Sequence, residues 1–346
     1  MLKKINEIKV NIILPNYNSG EFFEETINSI LNQTFKDFEF IVINDGSNDQ
    51  TYTILNSYND KRLRIINHKS NRGLTARLNE GLDKSKGKYI ARMDADDISL
   101  PERFKIQIDF LESNPDIGIC GTSLNVFYSP SKKDNWIPPT DHDSIMCKML
   151  FVSVIYHPTV MMRSSLLNKH SLKYDKNMKH VEDYDFWVRC GERFKLANIN
   201  NVLVKRRMHD NRIGIIYKKP QLEGSNQIRI NQLKKLDIIP SKSEVISHQQ
   251  IAINQHNLEK SQLVSCRDWI NKLHSSNNDT MIYPLDKFSK TLCDMWSDLC
   301  FRSTRFGIWT FELYFSANLI NYKYLNVKRL LAFFIRCLNP LNYFNI

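Results

Sequence analysis

The chain has 346 residues, 42% hydrophobic and 25% charged, with a formal net charge of +11. That composition belongs to a folded protein and excludes a low-complexity or disordered chain; the length allows one large domain with an extension, or two domains. No stretch reaches the ~18 apolar residues needed to span a bilayer; residues 307–320 come nearest and are broken by Glu312. The seven cysteines are odd in number, irregularly spaced and lack a C-x-x-C pair, so they read as reduced thiols of a cytoplasmic protein. The apolar stretch near the N-terminus is too short for a secretion signal and reads as a first strand.

The first ~120 residues alternate strand and helix signals, which predicts a parallel α/β sheet. Val10–Leu14 is a short apolar strand stopped by Pro15. Glu21–Phe35 carries Phe23, Ile27, Ile30 and Leu31 at helical spacing, with Asn18 or Ser19 as its cap. Phe38–Ile43 is a second strand, ending in the turn Asn44-Asp45-Gly46-Ser47. Ile54, Leu55 and Tyr58 mark a helix, Leu63–Ile66 a third strand, and Leu74, Leu78 and Leu82 another helix. Tyr89–Met93 is a fourth strand, a helix begins at Pro101, and Ile117–Gly121 is a fifth strand. Strands at 159–163 and 202–207 flank a helix around 183–193. After about residue 215 helix-like segments dominate. The expected domains are therefore 1–215, with a nucleotide-binding half at 9–121 and an acceptor half at 122–215, and a helical extension at 216–346.

Each early strand ends where polar residues begin: Asn16-Tyr17, Asp45 and Asp94. In open parallel sheets ligands sit beyond the carboxyl ends of the strands, so these groups gather at one edge. Asp94-Ala95-Asp96-Asp97 puts three carboxylates into four residues. Such a cluster either binds a hard cation such as Mg²⁺ or Mn²⁺ or is an acidic loop in which Asp97 or Ser99 caps the next helix. Asp45 either accepts an N–H from a nucleobase or makes an Asx-turn. Tyr17 can stack on a base. Glu182-Asp183, ahead of Phe186 and Trp187, are either helix-start acids or supply a general base. His209 is either a surface histidine or a further metal ligand. No P-loop, dinucleotide fingerprint, nucleophile elbow or zinc-protease motif is present, and no aromatic–basic platform for nucleic acid is found.

Taken in order, VNIILPNYN (10–18), FIVINDGSND (40–49), NRGLTARLNEGL (71–82), GKYIARMDADDISLPERF (87–104), HPTVMMR (157–163), VEDYDFWVR (181–189) and VKRRMHDN (204–211) resemble the family 2 glycosyltransferases. Two of these segments look most like the capsule, lipopolysaccharide and exopolysaccharide branch. The resemblance implies a GT-A fold and an inverting, Mn²⁺- or Mg²⁺-dependent transfer from a UDP-sugar to a saccharide or lipid-linked saccharide. It implies that Pro15, Tyr17 and Asp45 hold the nucleoside, and that Asp94 and Asp96 form the D-x-D pair touching ribose, sugar and metal. Asp183 would be the base, Glu182 would orient acceptor or donor sugar, and His209 would lie near the diphosphate and metal. Leu78 stands where the family often has an Arg, so Arg72 or Arg77 takes over the pyrophosphate contact. The alternatives are a sugar nucleotidyltransferase, which needs an early Gly-rich basic loop that residues 14–20 lack, and a non-catalytic saccharide-binding or scaffolding protein.

Residues 216–346 hold 17 Lys+Arg against 10 Asp+Glu, and no acidic residue follows Glu312. Trp309, Phe311, Tyr314, Phe315, Phe333 and Phe334 share this region with Lys323, Lys328, Arg329 and Arg336. Two expectations stand open: peripheral binding to the cytoplasmic membrane face, or an aromatic core that packs within the protein or forms a homodimer interface.

Overall fold

A computed structural model describes residues 9–129, 132–209, 212–318 and 327–339. Lys323, and Asp210 and Asn211 of the 204–211 segment, lie outside the described residues. The chain forms two compact units, one of Met1–Ile145 with Ser153–Gly224, the other of Met146–Val152 with Ser225–Ile346.

The first unit is built on a mixed sheet of nine strands among the described residues, ordered β3-β2-β1-β4-β8-β6-β9-β5, with β7 paired to β6. Strands β1 (Val10–Asn16), β2 (Phe38–Asn44), β3 (Leu63–Asn67) and β4 (Tyr89–Arg92) are all parallel. They alternate with α1 (Gly20–Leu31), α2 (Thr51–Asn56) and α3 (Leu74–Lys84). Every residue of β1 is buried, as a strand covered on both faces requires. Strand order reverses between β1 and β4, the topological switch point where such sheets bind ligands. The parallel half thus agrees with the expected α/β pattern.

The other half contains β5 (Ile98–Ser99), β6 (Ile117–Ser129), β7 (Lys132–Trp136), β8 (Met161–Arg163) and β9 (Lys195–Arg207). Strand β8 runs antiparallel to both β4 and β6, and β6 runs parallel to β9. Mutual pairing extends β6 and β9 well beyond the five or six residues their apolar cores suggest. Around them lie α4 (Arg103–Ser113), α5 (His142–Met149), α6 (Ser164–Lys169) and α7 (Glu182–Gly191).

Two cap expectations are corrected. Ser19 occupies the N-cap of α1 but its side chain makes no cap bond. Asn18, at φ 52°, instead bonds across to the next loop, its N–H donating to Ser47 Oγ and its Oδ1 accepting from Asn48 N. Helix α4 starts at Arg103 with Glu102 at its N-cap and no side-chain cap bond, so neither Asp97 nor Ser99 caps it.

The second unit contains α10 (Lys242–Ala252), α11 (Lys260–Thr280), α12 (Leu285–Arg302), α13 (Ile308–Phe315) and α14 (Val327–Leu338); the chain reaches it through α8 (Ile213–Ile216) and α9 (Lys218–Leu233). Its core includes Trp269, Phe288, Trp296, Tyr314 and Phe333, with Trp309 and Phe311 packed against it. These aromatics are therefore core residues, whereas Phe315 is exposed. Segment 146–152 belongs here because side chains of this unit satisfy its carbonyls. Gln232 donates to Met149 O at 2.9 Å, His248 to Leu150 O at 3.0 Å and Arg229 to Phe151 O at 2.7 Å. His248 also accepts from Trp269 Nε1 at 3.0 Å, which fixes a neutral tautomer; burial pulls it down to about 3. All seven cysteines are buried and none forms a disulfide. Among the described residues no helix is long and apolar enough to cross a membrane.

The approach of α3 to β1 is set by Gly81, where an added Cβ would clash with Ile13 Cγ2 in the sheet. Alanine in a helix interior is favoured over glycine by up to about 1 kcal/mol, whereas overpacking costs about 1–3 kcal/mol. Ile13 is held in a buried strand and cannot give way, so overpacking wins. Gly81→Ala should lower the denaturation midpoint, and an unchanged or raised midpoint would contradict this packing.

Candidate active site

The end of β2 and the loop before α3 are held together by Asp45, only 3% exposed. Its Oδ1 accepts from Arg72 N at 2.9 Å and Arg77 Nε at 2.5 Å, and its Oδ2 accepts from Gly73 N at 2.8 Å. Gly73 has φ 88°, a conformation glycine adopts without strain. The turn after β2 is bridged by Asn44, whose Oδ1 accepts from Ser47 N at 3.2 Å. The Asx contact is thus made by Asn44, and Asp45 is left to shape the loop. Arg77 is also committed to Glu80 at 2.9 Å and to Ser70 O at 3.2 Å. Arg72 stays exposed beside it. Tyr17, 47% exposed, stands at the mouth of β1, while Pro15 lies buried within that strand opposite Ile43. Asn16 is buried with neither polar side-chain atom partnered.

Asp94, Asp96 and Asp97 follow β4, and one carboxylate oxygen from each lies within 4.8 Å of the others. The loop is pinned from α1, where Thr26 Oγ1 donates to Ala95 O at 3.0 Å and Asp97 O at 2.8 Å. Asp94 forms an ion pair with Arg92, the buried last residue of β4. Burial raises the Asp94 carboxyl, but the adjacent guanidinium outweighs it and holds the group well below the usual carboxylate range. Asp96 Oδ2 is 2.9 Å from His209 Nε2 and 3.8 Å from Arg212 Nη1. Asp97 is fully buried, with Oδ1 accepting from Arg207 N at 2.9 Å and Oδ2 unpartnered. Burial, then the charges of Asp96 and Asp94, push Asp97 up to about 8. Hard oxygens gathered this closely, one of them buried without a donor, fit Mg²⁺ or Mn²⁺.

Glu182 and Asp183 open α7 ahead of the buried Phe186 and Trp187. Burial, then the neighbouring Asp183, push Glu182 up to about 7. Asp183 is half-buried, and burial raises its carboxyl too, although Oδ1 accepts from Tyr184 N at 2.8 Å. A helix N-terminus favours an anion by up to about 2 kcal/mol in a partly buried site, yet both carboxyls stay raised. Desolvation therefore wins. Arg92 acts electrostatically on Asp94 and Asp183 alike.

The fold thus brings Asp94, Asp96 and His209 together, with Asp183 in their electrostatic reach. Tyr17, Asp45 and Arg72 cluster at the neighbouring strand ends. Sequence reasoning missed Arg92, Arg207, Arg212 and the burial of Asp97. Arg92 did leave a signal: Tyr-Ile-Ala-Arg ends an otherwise apolar strand on a charge immediately before the acidic cluster.

The Glycosyl transferase family 2 profile matches residues 11–171. An uncharacterized glycosyltransferase of Haemophilus influenzae is 37% identical over 231 residues, covering 64% of this chain and 72% of that protein. One from Methanocaldococcus jannaschii is 33% identical over 228 residues, covering 63% and 78%. In fold, the chain is similar to the crystal structure of S. aureus TarS 1-349, with TM-score 0.55 and 16% identity over 84% of this chain and 86% of that one. The crystal structure of the same TarS fragment in complex with UDP-GlcNAc aligns with TM-score 0.52 and 17% identity over 95% and 90%. On this fold, these relatives and this profile, the chain belongs to glycosyl transferase family 2.

Proposed function

We propose that this glycosyltransferase inverts configuration, moving a sugar from a UDP-sugar to a hydroxyl of a saccharide or lipid-linked saccharide in surface polysaccharide synthesis. The observation that carries the reading is one buried guanidinium, Arg92, which pairs with an ionised D-x-D aspartate and acts electrostatically on the raised carboxyl of Asp183 on α7. The UDP-GlcNAc complex of TarS, which shares the fold, supports a uridine donor.

In this reading the nucleoside lies along the ends of β1 and β2. Tyr17 offers an aromatic face to the base, and Asp45 keeps loop 70–73 in the shape that receives it. Pro15 sets the floor, and exposed Arg72 reaches the pyrophosphate. Asp94, Asp96 and His209 would hold the divalent ion, with Asp97 in the same acidic cluster. When bound, that ion neutralises charge on the departing diphosphate. Arg207 and Arg212 keep the acidic loop in place.

Asp183 accepts the proton of the acceptor hydroxyl as its oxygen bonds to the anomeric carbon. The bond from that carbon to the phosphate oxygen breaks on the opposite face, and the nucleoside diphosphate leaves with the electron pair. An α-linked donor thus gives a β-glycoside. A base is useful when its pKa lies near working pH, and burial moves both carboxyls of the Glu182–Asp183 pair upward in that direction. Glu182 orients the reacting sugars.

Asp183→Asn should lower kcat by about 10²–10⁴ with donor affinity close to wild type; near-normal kcat would remove Asp183 from the role. The pH profile checks the same pair. A raised carboxyl keeps its proton where an ordinary one has lost it, and a protonated base is inactive. Activity should therefore fall, as pH drops, at a higher pH than an ordinary aspartate would set. Glu182→Gln, which removes the like charge, should move that fall to lower pH; an unmoved profile would refute the coupling. Finally, EDTA should abolish transfer and Mn²⁺ or Mg²⁺ restore it, and Asp96→Ala should weaken metal-dependent donor binding measured by calorimetry. Full activity in chelator would leave the acidic cluster without a metal role.

A further inference from the structure

We propose that α14 and the arginine-lined cleft beside it form a docking surface for anionic phospholipid, which seats the helical unit on a membrane leaflet. Helix α14 buries Phe333 and Cys337 in the core of its unit. Its outward side carries Val327, Leu331, Ile335 and Leu338, exposed by 76, 59, 49 and 56%. At spacings of four, four and three residues they form one apolar stripe. Lys328 borders that stripe, and Arg329 and Arg336 lie further round the helix, between Lys328 and the buried face. An exposed apolar stripe bordered by cations is the pattern of a helix lying in the plane of a membrane interface.

A cleft of about 570 Å³ adjoins the helix, lined by Arg302, Arg329, Arg336, His256 and Asn254 among others. Asp298 is the one acid in that lining, and it pairs with Arg329. Arg336 lies 4.2 Å over the Phe301 ring, and Arg302 contacts His256. The buried Oδ1 of Asn254 has no hydrogen-bond partner. Guanidinium groups with an unused acceptor match a headgroup that carries a phosphate and a hydroxyl.

Charge decides between the candidate occupants. A second copy docked stripe to stripe about a two-fold axis would bring the cations of both copies to the same contact. An anionic leaflet instead neutralises them and covers the stripe. The inference concerns the helical unit alone and stands whether or not the catalytic reading does.

The test is co-sedimentation of the full chain with phosphatidylcholine vesicles, with and without phosphatidylglycerol, at low and high salt. Binding should require phosphatidylglycerol and weaken in high salt. Leu331→Ser/Ile335→Ser and Arg302→Gln/Arg336→Gln should each reduce partitioning on the order of tenfold. Circular dichroism and donor hydrolysis should stay at wild-type levels in the exposed-stripe variant, which separates loss of docking from loss of folding. A protein that stays in the supernatant with anionic vesicles at low salt overturns the proposal. So does calorimetric binding of inorganic phosphate in the cleft without vesicle association, which would assign the site to a soluble phosphate.

Discussion

A buried positive charge governs the edge of the sheet at which the acidic residues gather. Arg92 is 3% exposed at the end of a central strand, and its Nε and Nη1 have no hydrogen-bond partner. An unpaired guanidinium in that position would cost several kcal/mol, so its surroundings must be anionic. Asp94 meets the demand by direct contact and stays ionised. Asp183 feels the same cation and the negative charge of Asp94, and burial keeps its pKa raised. The cation thus keeps Asp94 an anion, while burial leaves the Asp183 carboxyl raised above its ordinary range. Titratable groups driven apart in this way are how one site runs acid and base chemistry.

The same logic organises the loop after β4. Three neighbouring carboxylates repel strongly at low dielectric, yet Asp97 is fully buried. The end of β9 and the residues after it supply the partners: Arg207 through its backbone N–H, His209 on Asp96, and the Arg212 guanidinium at 3.5 Å from Asp97. Strand pairing makes this arrangement available. Strand β9 runs beside both β6 and β5, and β5 lies directly after the acidic loop. The sheet therefore delivers basic residues more than a hundred positions along the chain to the aspartates that need them.

That distance explains what the sequence made legible. The parallel half could be read because β1–β4 are short, apolar and stopped by polar residues at one edge, so Tyr17, Asp45 and Asp94 fell into one group. The order of motifs placed Asp183 and His209 in the same site. Arg92, Arg207 and Arg212 escaped because a charge in or beside a strand reads as solvent-facing until its partners are known. The extended lengths of β6 and β9 come from pairing across the chain, which local periodicity does not encode. The placement of 146–152 among the C-terminal helices rests on three carbonyls finding Gln232, His248 and Arg229, contacts with no local signature. Asp45 shows the opposite case: its position was legible, but not that Arg72, Gly73 and Arg77 already engage its carboxylate.

The central claim is that attack occurs on the face opposite the leaving diphosphate, with Asp183 as base. Proton NMR of the sugar first released when the enzyme hydrolyses an α-linked UDP-sugar tests it most directly, because water replaces the unidentified acceptor. Inverting chemistry releases the β-anomer first, with the α-anomer growing in only by mutarotation. Initial release of the α-anomer would contradict the account.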